Sequence, residues 1–193
     1  VVLYAPTFEG YYEGTSHSSL DTMGVEMVRV VLEEFPQLQV WFKPHPASGI
    51  LRPSMLAAVA EIEALLGRGD HVVVDHTDLT LVDCLASTDV LISDISSVTS
   101  DFMATGRPVL VTNPASLPVN EFNAAYPSQR AFYVVDMDLA EFQAVLNLAL
   151  GSDPLKDARL ALRTYLLGDL PDGPQRAFDD ALGRLAGRVA DHD

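Results

Sequence analysis

A chain of 193 residues with 48% hydrophobic, 20% charged and 8% aromatic residues has the composition of one compact folded domain, which excludes disorder and fibrous repeats. Its 27 acidic against 12 basic residues leave a formal net charge of -15, which excludes a general nucleic-acid binder built on a basic face. Any anionic ligand must therefore be held locally. The single cysteine, Cys84, excludes an intrachain disulfide framework and a multi-cysteine metal site. Its neighbours Leu81, Val82, Leu85 and Ala86 make it a small buried core residue. No apolar run reaches the roughly 18 residues of a membrane span, and no signal peptide is visible. The chain opens Val-Val-Leu-Tyr, already strand-like and without Met, as expected of a piece of a longer protein.

Short apolar runs at 1–5, 38–42, 71–74, 90–93, 108–112 and 131–135 are mostly continuous and rich in Val and Leu, the pattern of parallel strands covered on both faces. Helical periods lie between them. Met23, Met27, Val28, Val31 and Leu32 form one apolar stripe, and Leu56, Val59, Ile62 and Leu66 a second. Leu139, Phe142, Val145, Leu146 and Ala149 form a third, and two more helices follow over 160–167 and along Phe178, Leu182, Leu185 and Val189. This alternation predicts an α/β, doubly wound, mostly parallel sheet of Rossmann-like type. A nucleotide-binding unit is expected over 1–150, with the helices of 151–193 packing on it as part of the same domain. Two polar stretches, 7–19 and 113–130, read as long loops leaving the carboxyl ends of strands, where open parallel sheets bind ligands.

Three segments carry residues suited to chemistry. In Lys43-Pro44-His45-Pro46, each proline disfavours helix at the residue before it, so Lys43 and His45 are held extended at a strand end. A histidine fixed there donates to a phosphate oxygen or exchanges a proton near neutral pH; capping a carbonyl is the structural alternative. In the run from Asp89 through Asp94, Ser96, Ser97 and Thr99 to Gly106, a strand ends and hydroxyl residues open a short helix. Hydroxyls and free backbone N–H groups at such a start can hold an anion without a basic residue, although Ser-Ser is also ordinary capping composition. Thr7, in Ala5-Pro6-Thr7-Phe8-Glu9-Gly10, brings a hydroxyl to the same sheet edge, and the 16–19 region could close over it. His71, Asp75, His76 and Asp78 have a metal-like spread, but a strand separates the two imidazoles, so no metal is expected. Gly-x-Gly-x-x-Gly, Walker and Gly-x-Ser-x-Gly motifs are absent.

In order and spacing, Leu3-Tyr4-Ala5-Pro6-Thr7, Lys43-Pro44-His45-Pro46, the stretch from Asp89 to Ser97, Gly106-Arg107-Pro108 and Arg130-Ala131-Phe132-Tyr133 resemble the CDP-glycerol glycerophosphotransferase family of teichoic-acid-type polymerases and primases. The resemblance implies the carboxyl-terminal, donor-binding half of a glycosyltransferase-B architecture. It implies a parent enzyme that passes glycerol phosphate from CDP-glycerol to a hydroxyl acceptor in cell-wall polymer synthesis and releases CMP. It further implies a cytoplasmic parent, peripheral at the inner membrane face, whose amino-terminal domain partners this one and supplies the base. No cofactor is expected. Carried over, His45 is the essential histidine beside the diphosphate, Ser96 and Ser97 hold phosphate oxygens, and Asp75 lies near the nucleoside. Thr7, Lys43, Ser48, Asp94 and Thr99 complete the expected donor-binding set. The family's aromatic-Arg pair after Ala-Pro-Thr is replaced by Phe8 and Glu9, which on this reading removes a cation from the cleft. Two alternatives stand beside this: a nucleotide-sugar transferase or UDP-N-acetylglucosamine 2-epimerase-like enzyme, and a non-catalytic docking module.

Overall fold

The structure, a computed structural model, describes residues 1–12, 17–75, 77–169 and 172–190. Ser16, His76 and the 191–193 chain end lie outside the described residues. Strands β1 (Val2–Ala5), β2 (Val40–Phe42), β3 (Val72–Val73), β4 (Val90–Ser93), β5 (Val109–Asn113) and β6 (Tyr133–Asp136) form one sheet. Its order is β3-β2-β1-β4-β5-β6 and every pairing is parallel, as the continuous apolar runs predict. The third run forms two paired residues, and the sixth strand begins at Tyr133 because the 3-10 turn Pro127–Gln129 leads into Ala131 and Phe132.

The helices are α1 (Val25–Glu34), α2 (Pro53–Leu66), α3 (Leu81–Ser87), α4 (Ser97–Met103), α5 (Val119–Ala125), α6 (Phe142–Leu150), α7 (Lys156–Leu167) and α8 (Pro174–Ala190). Side chains alternate across β1, so Val2 and Tyr4 pack with Met27, Val31, Ile62 and Leu146 on one face. Leu3 and Ala5 pack with Cys84, Phe102, Phe122 and Leu162 on the other. Cys84 is fully buried, in a helix opened by a capping box in which Thr80 and Asp83 exchange hydrogen bonds. The second polar stretch contains α5, whose Phe122 fills the lower core, so part of that predicted loop is structural.

The two ends of the last segment differ. α7 is tied down by Arg159, fully buried, whose Nε donates to the Gly106 carbonyl at 3.0 Å and whose guanidinium pairs with Asp153. Tyr133 donates its hydroxyl to the same carboxylate at 2.9 Å. α8 instead leaves Phe178, Leu182 and Leu185 exposed, in place of the packed stripe expected from the period.

Candidate active site

The strand order reverses between β1 and β4, and the segments leaving the carboxyl ends of β1, β2 and β4 are side by side there. Two hydrogen bonds fix this edge. The Lys43 N–H donates to the Tyr4 carbonyl at 2.9 Å, and the Ser93 hydroxyl donates to the Ala5 carbonyl at 2.6 Å.

Asp94, at the end of β4, ties the β1 loop to β5. It is fully buried; Oδ2 accepts from the Thr7 N–H at 2.7 Å, and Oδ1 accepts from the Ser19 N–H at 3.1 Å and the Thr112 hydroxyl at 2.5 Å. Burial pushes its carboxyl up to about 6, against the lowering effect of the Ser19, Thr112 and Thr7 donors. The sequence placed Asp94 among the donor-binding groups; in the fold its carboxylate is enclosed by these loops, so it positions Thr7 and Ser19. Ser19 also opens a π-helical turn, Leu20–Gly24, by accepting from the N–H groups of Thr22, Met23 and Gly24, and its hydroxyl meets that of Tyr4 at 2.8 Å. A Cβ on Gly24 would lie 2.4 Å from the Tyr4 hydroxyl oxygen, so the close approach requires glycine.

Glu9 does the same for the histidine segment. Its carboxylate is only 3% exposed and accepts from the Gly49 N–H at 3.0 Å, the Leu51 N–H at 2.7 Å and the Arg52 N–H at 3.1 Å. Burial alone would raise the group, but its own backbone N–H together with those of Leu51, Gly49 and Arg52 holds it below the usual carboxylate range. The sequence reading took Glu9 as a lost cation in the cleft. The structure turns the side chain away into the 47–52 backbone, where a carboxylate is the fitting group.

His45 is exposed, stacks on Phe8 with ring centroids 4.9 Å apart, and accepts from the Ala47 N–H through Nδ1 at 3.1 Å. The neutral ring therefore carries its proton on Nε2 and donates there. Ser48, two residues beyond the second clamp, has a hydroxyl oxygen shielded from solvent and without a hydrogen-bond partner among the described residues. Across the edge, Ser96 occupies the cap position of α4, but its hydroxyl meets the Ser93 hydroxyl at 3.3 Å and makes no bond to the helix N–H groups. Ser97 is exposed at the first helical position. Thr99 is fully buried and donates its hydroxyl to the Ser96 carbonyl at 2.8 Å, so it shapes the turn from inside and is removed from the set of ligand-facing groups.

The remaining candidates lie on the β3 side. The Lys43 ammonium reaches the Leu79 carbonyl at 3.4 Å, and exposed Asp75 accepts from the Thr77 N–H and hydroxyl, each at 2.8 Å. His71 accepts from the Val40 N–H through Nδ1 at 3.1 Å, which directs it to the sheet edge. Among the described residues no three His, Cys, Asp or Glu side chains converge.

Sequence reasoning missed a hollow of about 230 Å³ between the β1 loop and α5, whose lining includes His17, Arg52, Ile95 and Tyr126. Its members come from five separated segments, so no local motif marks it. A larger hollow of about 460 Å³, lined by Arg107, Asp153 and Lys156 among others, lies at the opposite edge of the sheet. Volume and chemistry disagree here, and the carboxyl edge is preferred because open parallel sheets bind ligands at that end.

The family model described as CDP-Glycerol:Poly(glycerophosphate) glycerophosphotransferase matches residues 1–137. No curated protein gives a significant sequence match. Among solved structures, the E. coli trehalose-6-phosphate protein bound with UDP-2-fluoro glucose is similar with a TM-score of 0.58 at 16% identity, over 94% of this chain and 43% of that one. An α,α-trehalose-phosphate synthase (UDP-forming) from Burkholderia vietnamiensis is similar with a TM-score of 0.56 at 14% identity, over 98% of this chain and 45% of that one. These are glycosyltransferases of the B type, and the chain spans under half of their length. At such identities the likeness establishes the fold.

Proposed function

This chain belongs to the CDP-glycerol:poly(glycerophosphate) glycerophosphotransferase family, and from that premise we propose that it is the donor-binding domain of a transferase that moves glycerol phosphate from CDP-glycerol to a hydroxyl acceptor. The observation that carries the reading is the composition of the switch point, where a fixed imidazole donor follows β2 and a helix start without a side-chain cap follows β4, on either side of β1. In the reaction the acceptor oxygen bonds to the glycerol-bearing phosphorus, the bond from that phosphorus to the bridging oxygen breaks, and CMP leaves with that oxygen. His45 Nε2–H, the Ser96 and Ser97 hydroxyls and the first N–H groups of α4 meet the charge that develops on the diphosphate. Ser48 supplies one more hydroxyl beside His45, Thr7 lines the same crevice, and Lys43 and Asp75 face the nucleoside side.

Teichoic-acid-like polymer synthesis at the inner face of a membrane, and a partner domain supplying the base, extend the same proposal to the parent protein. The experiment is base discrimination by thermal shift. CMP and CDP are expected to raise the melting temperature more than UMP and UDP at equal concentration. A larger uridine shift would transfer the domain to nucleotide-sugar chemistry, and no shift with any of the four would leave a docking module.

A further inference from the structure

His17 is the one histidine among those described here that borders a hollow and spends neither ring nitrogen on the protein. It is half-buried, and its ring meets that of Tyr126 edge-on, centroids 5.5 Å apart. Among the described residues neither nitrogen has a hydrogen-bond partner, whereas Ser18, Thr22, Asn113 and Arg52 of the same lining are occupied. Ser18 donates to the Thr7 carbonyl, Thr22 to the Ser19 carbonyl, Asn113 to Leu117 and Asp136, and Arg52 to Asp21 at 3.0 Å. Burial holds the imidazole below its ordinary value, so the ring is neutral near pH 7 and offers one donor and one acceptor.

Size and charge restrict what fits. A volume of about 230 Å³ is that of several waters at ~30 Å³ each, and it falls below the ~300–1,000 Å³ typical of sites for whole drug-sized ligands. With its arginine paired and its histidine neutral, the hollow has little to attract a phosphate. An aromatic wall of Tyr126 and Phe122, centroids 5.2 Å apart, suits the C–H edges of a short carbon chain. Ile95, which joins β4 to α4, also lines it, so the hollow opens beside the helix start that carries Ser96 and Ser97.

Resting on the transferase reading above, we propose that this hollow is the subsite for the short, uncharged, hydroxyl-bearing portion of the substrate, with His17 taking its hydroxyl as a hydrogen-bond partner. The polyol end then lies on the β5 side of the switch point and the nucleoside on the β3 side, with the phosphates between them.

The test is an imidazole and amide NMR titration of this chain with glycerol 3-phosphate and, separately, with CMP. Glycerol 3-phosphate is expected to shift the His17 ring and Tyr126, and His17→Phe, which keeps the ring packing, to weaken that binding at least tenfold. Ala115→Phe, which fills the hollow from its exposed rim and leaves His17 in place, is expected to do the same. CMP is expected to shift His45 and the start of α4 equally in wild type and both variants. If CMP binds there but glycerol 3-phosphate leaves His17 unmoved, or both variants bind it as wild type does, this proposal is overturned and the transferase reading stands. If CMP perturbs neither His45 nor α4, both fall.

Discussion

The two edges of the sheet bury carboxylates in opposite ways. At the amino edge, Asp153 is neutralised by a fully buried guanidinium, Arg159, and the pair braces α7 against the Gly106 turn. At the carboxyl edge, Asp94 and Glu9 are held by N–H and O–H donors from loops, and among the described residues no Arg or Lys side chain bonds to either. The first arrangement cancels charge and fixes a helix. The second uses negative charge to organise backbone, which leaves hydroxyls and His45 at the surface. This fits the anion site proposed above in a chain of net charge -15, since the carboxylates of Asp94 and Glu9 are turned inward and hydrogen-bonded.

The largest effect is expected at the amino edge. Removing one member of a buried ion pair leaves an uncompensated charge, so Arg159→Met should cost ~3–5 kcal/mol in urea unfolding. His45 should keep its tautomer in that variant. An unchanged urea midpoint would show that the brace is incidental.

At the carboxyl edge the effect should depend on pH. The folded carboxyl of Asp94 lies at about 6 because of burial, whereas an unfolded aspartate titrates near ~3.9. The folded state therefore binds the extra proton between these values, and stability falls as pH rises through the window. Relative to Asp94→Asn, wild type should gain ~2–3 kcal/mol on going from pH 7 to pH 4. A pH-independent difference between the two would place the carboxylate in a more polar setting than the structure shows.

Glu9→Gln should be milder, costing ~1–3 kcal/mol as one backbone N–H loses its acceptor. Its distinguishing sign is spectroscopic: the 47–52 turn slackens, Ala47 no longer fixes Nδ1, and the His45 ring becomes a mixture of tautomers. A pure Nε2–H ring in that variant would separate Glu9 from the positioning of His45.

Much of this was legible in the sequence, and for identifiable reasons. Continuous Val and Leu runs gave the parallel sheet because both faces are covered, and the prolines around His45 fixed its place at a strand end. Ser96 and Ser97 were legible because a helix start has local chemistry. The roles of Asp94 and Thr99 were not, since whether a polar residue beside a helix start faces inward depends on partners such as Thr7 and Thr112, far away in the chain. Glu9 was misread for the same reason: its three partners lie in the 49–52 turn after the next strand. The exposed stripe of α8 follows a helical period as regular as that of α1, so periodicity alone could not tell a covered face from an open one.

The most direct measurement is an amide and imidazole chemical-shift map of this chain with CDP-glycerol. The account predicts perturbations at His45, Ser48, Ser96 and Ser97, with Arg107 and Lys156 at the amino edge unmoved. Perturbations confined to the hollow around Arg107 and Lys156, or none at millimolar donor, would contradict it.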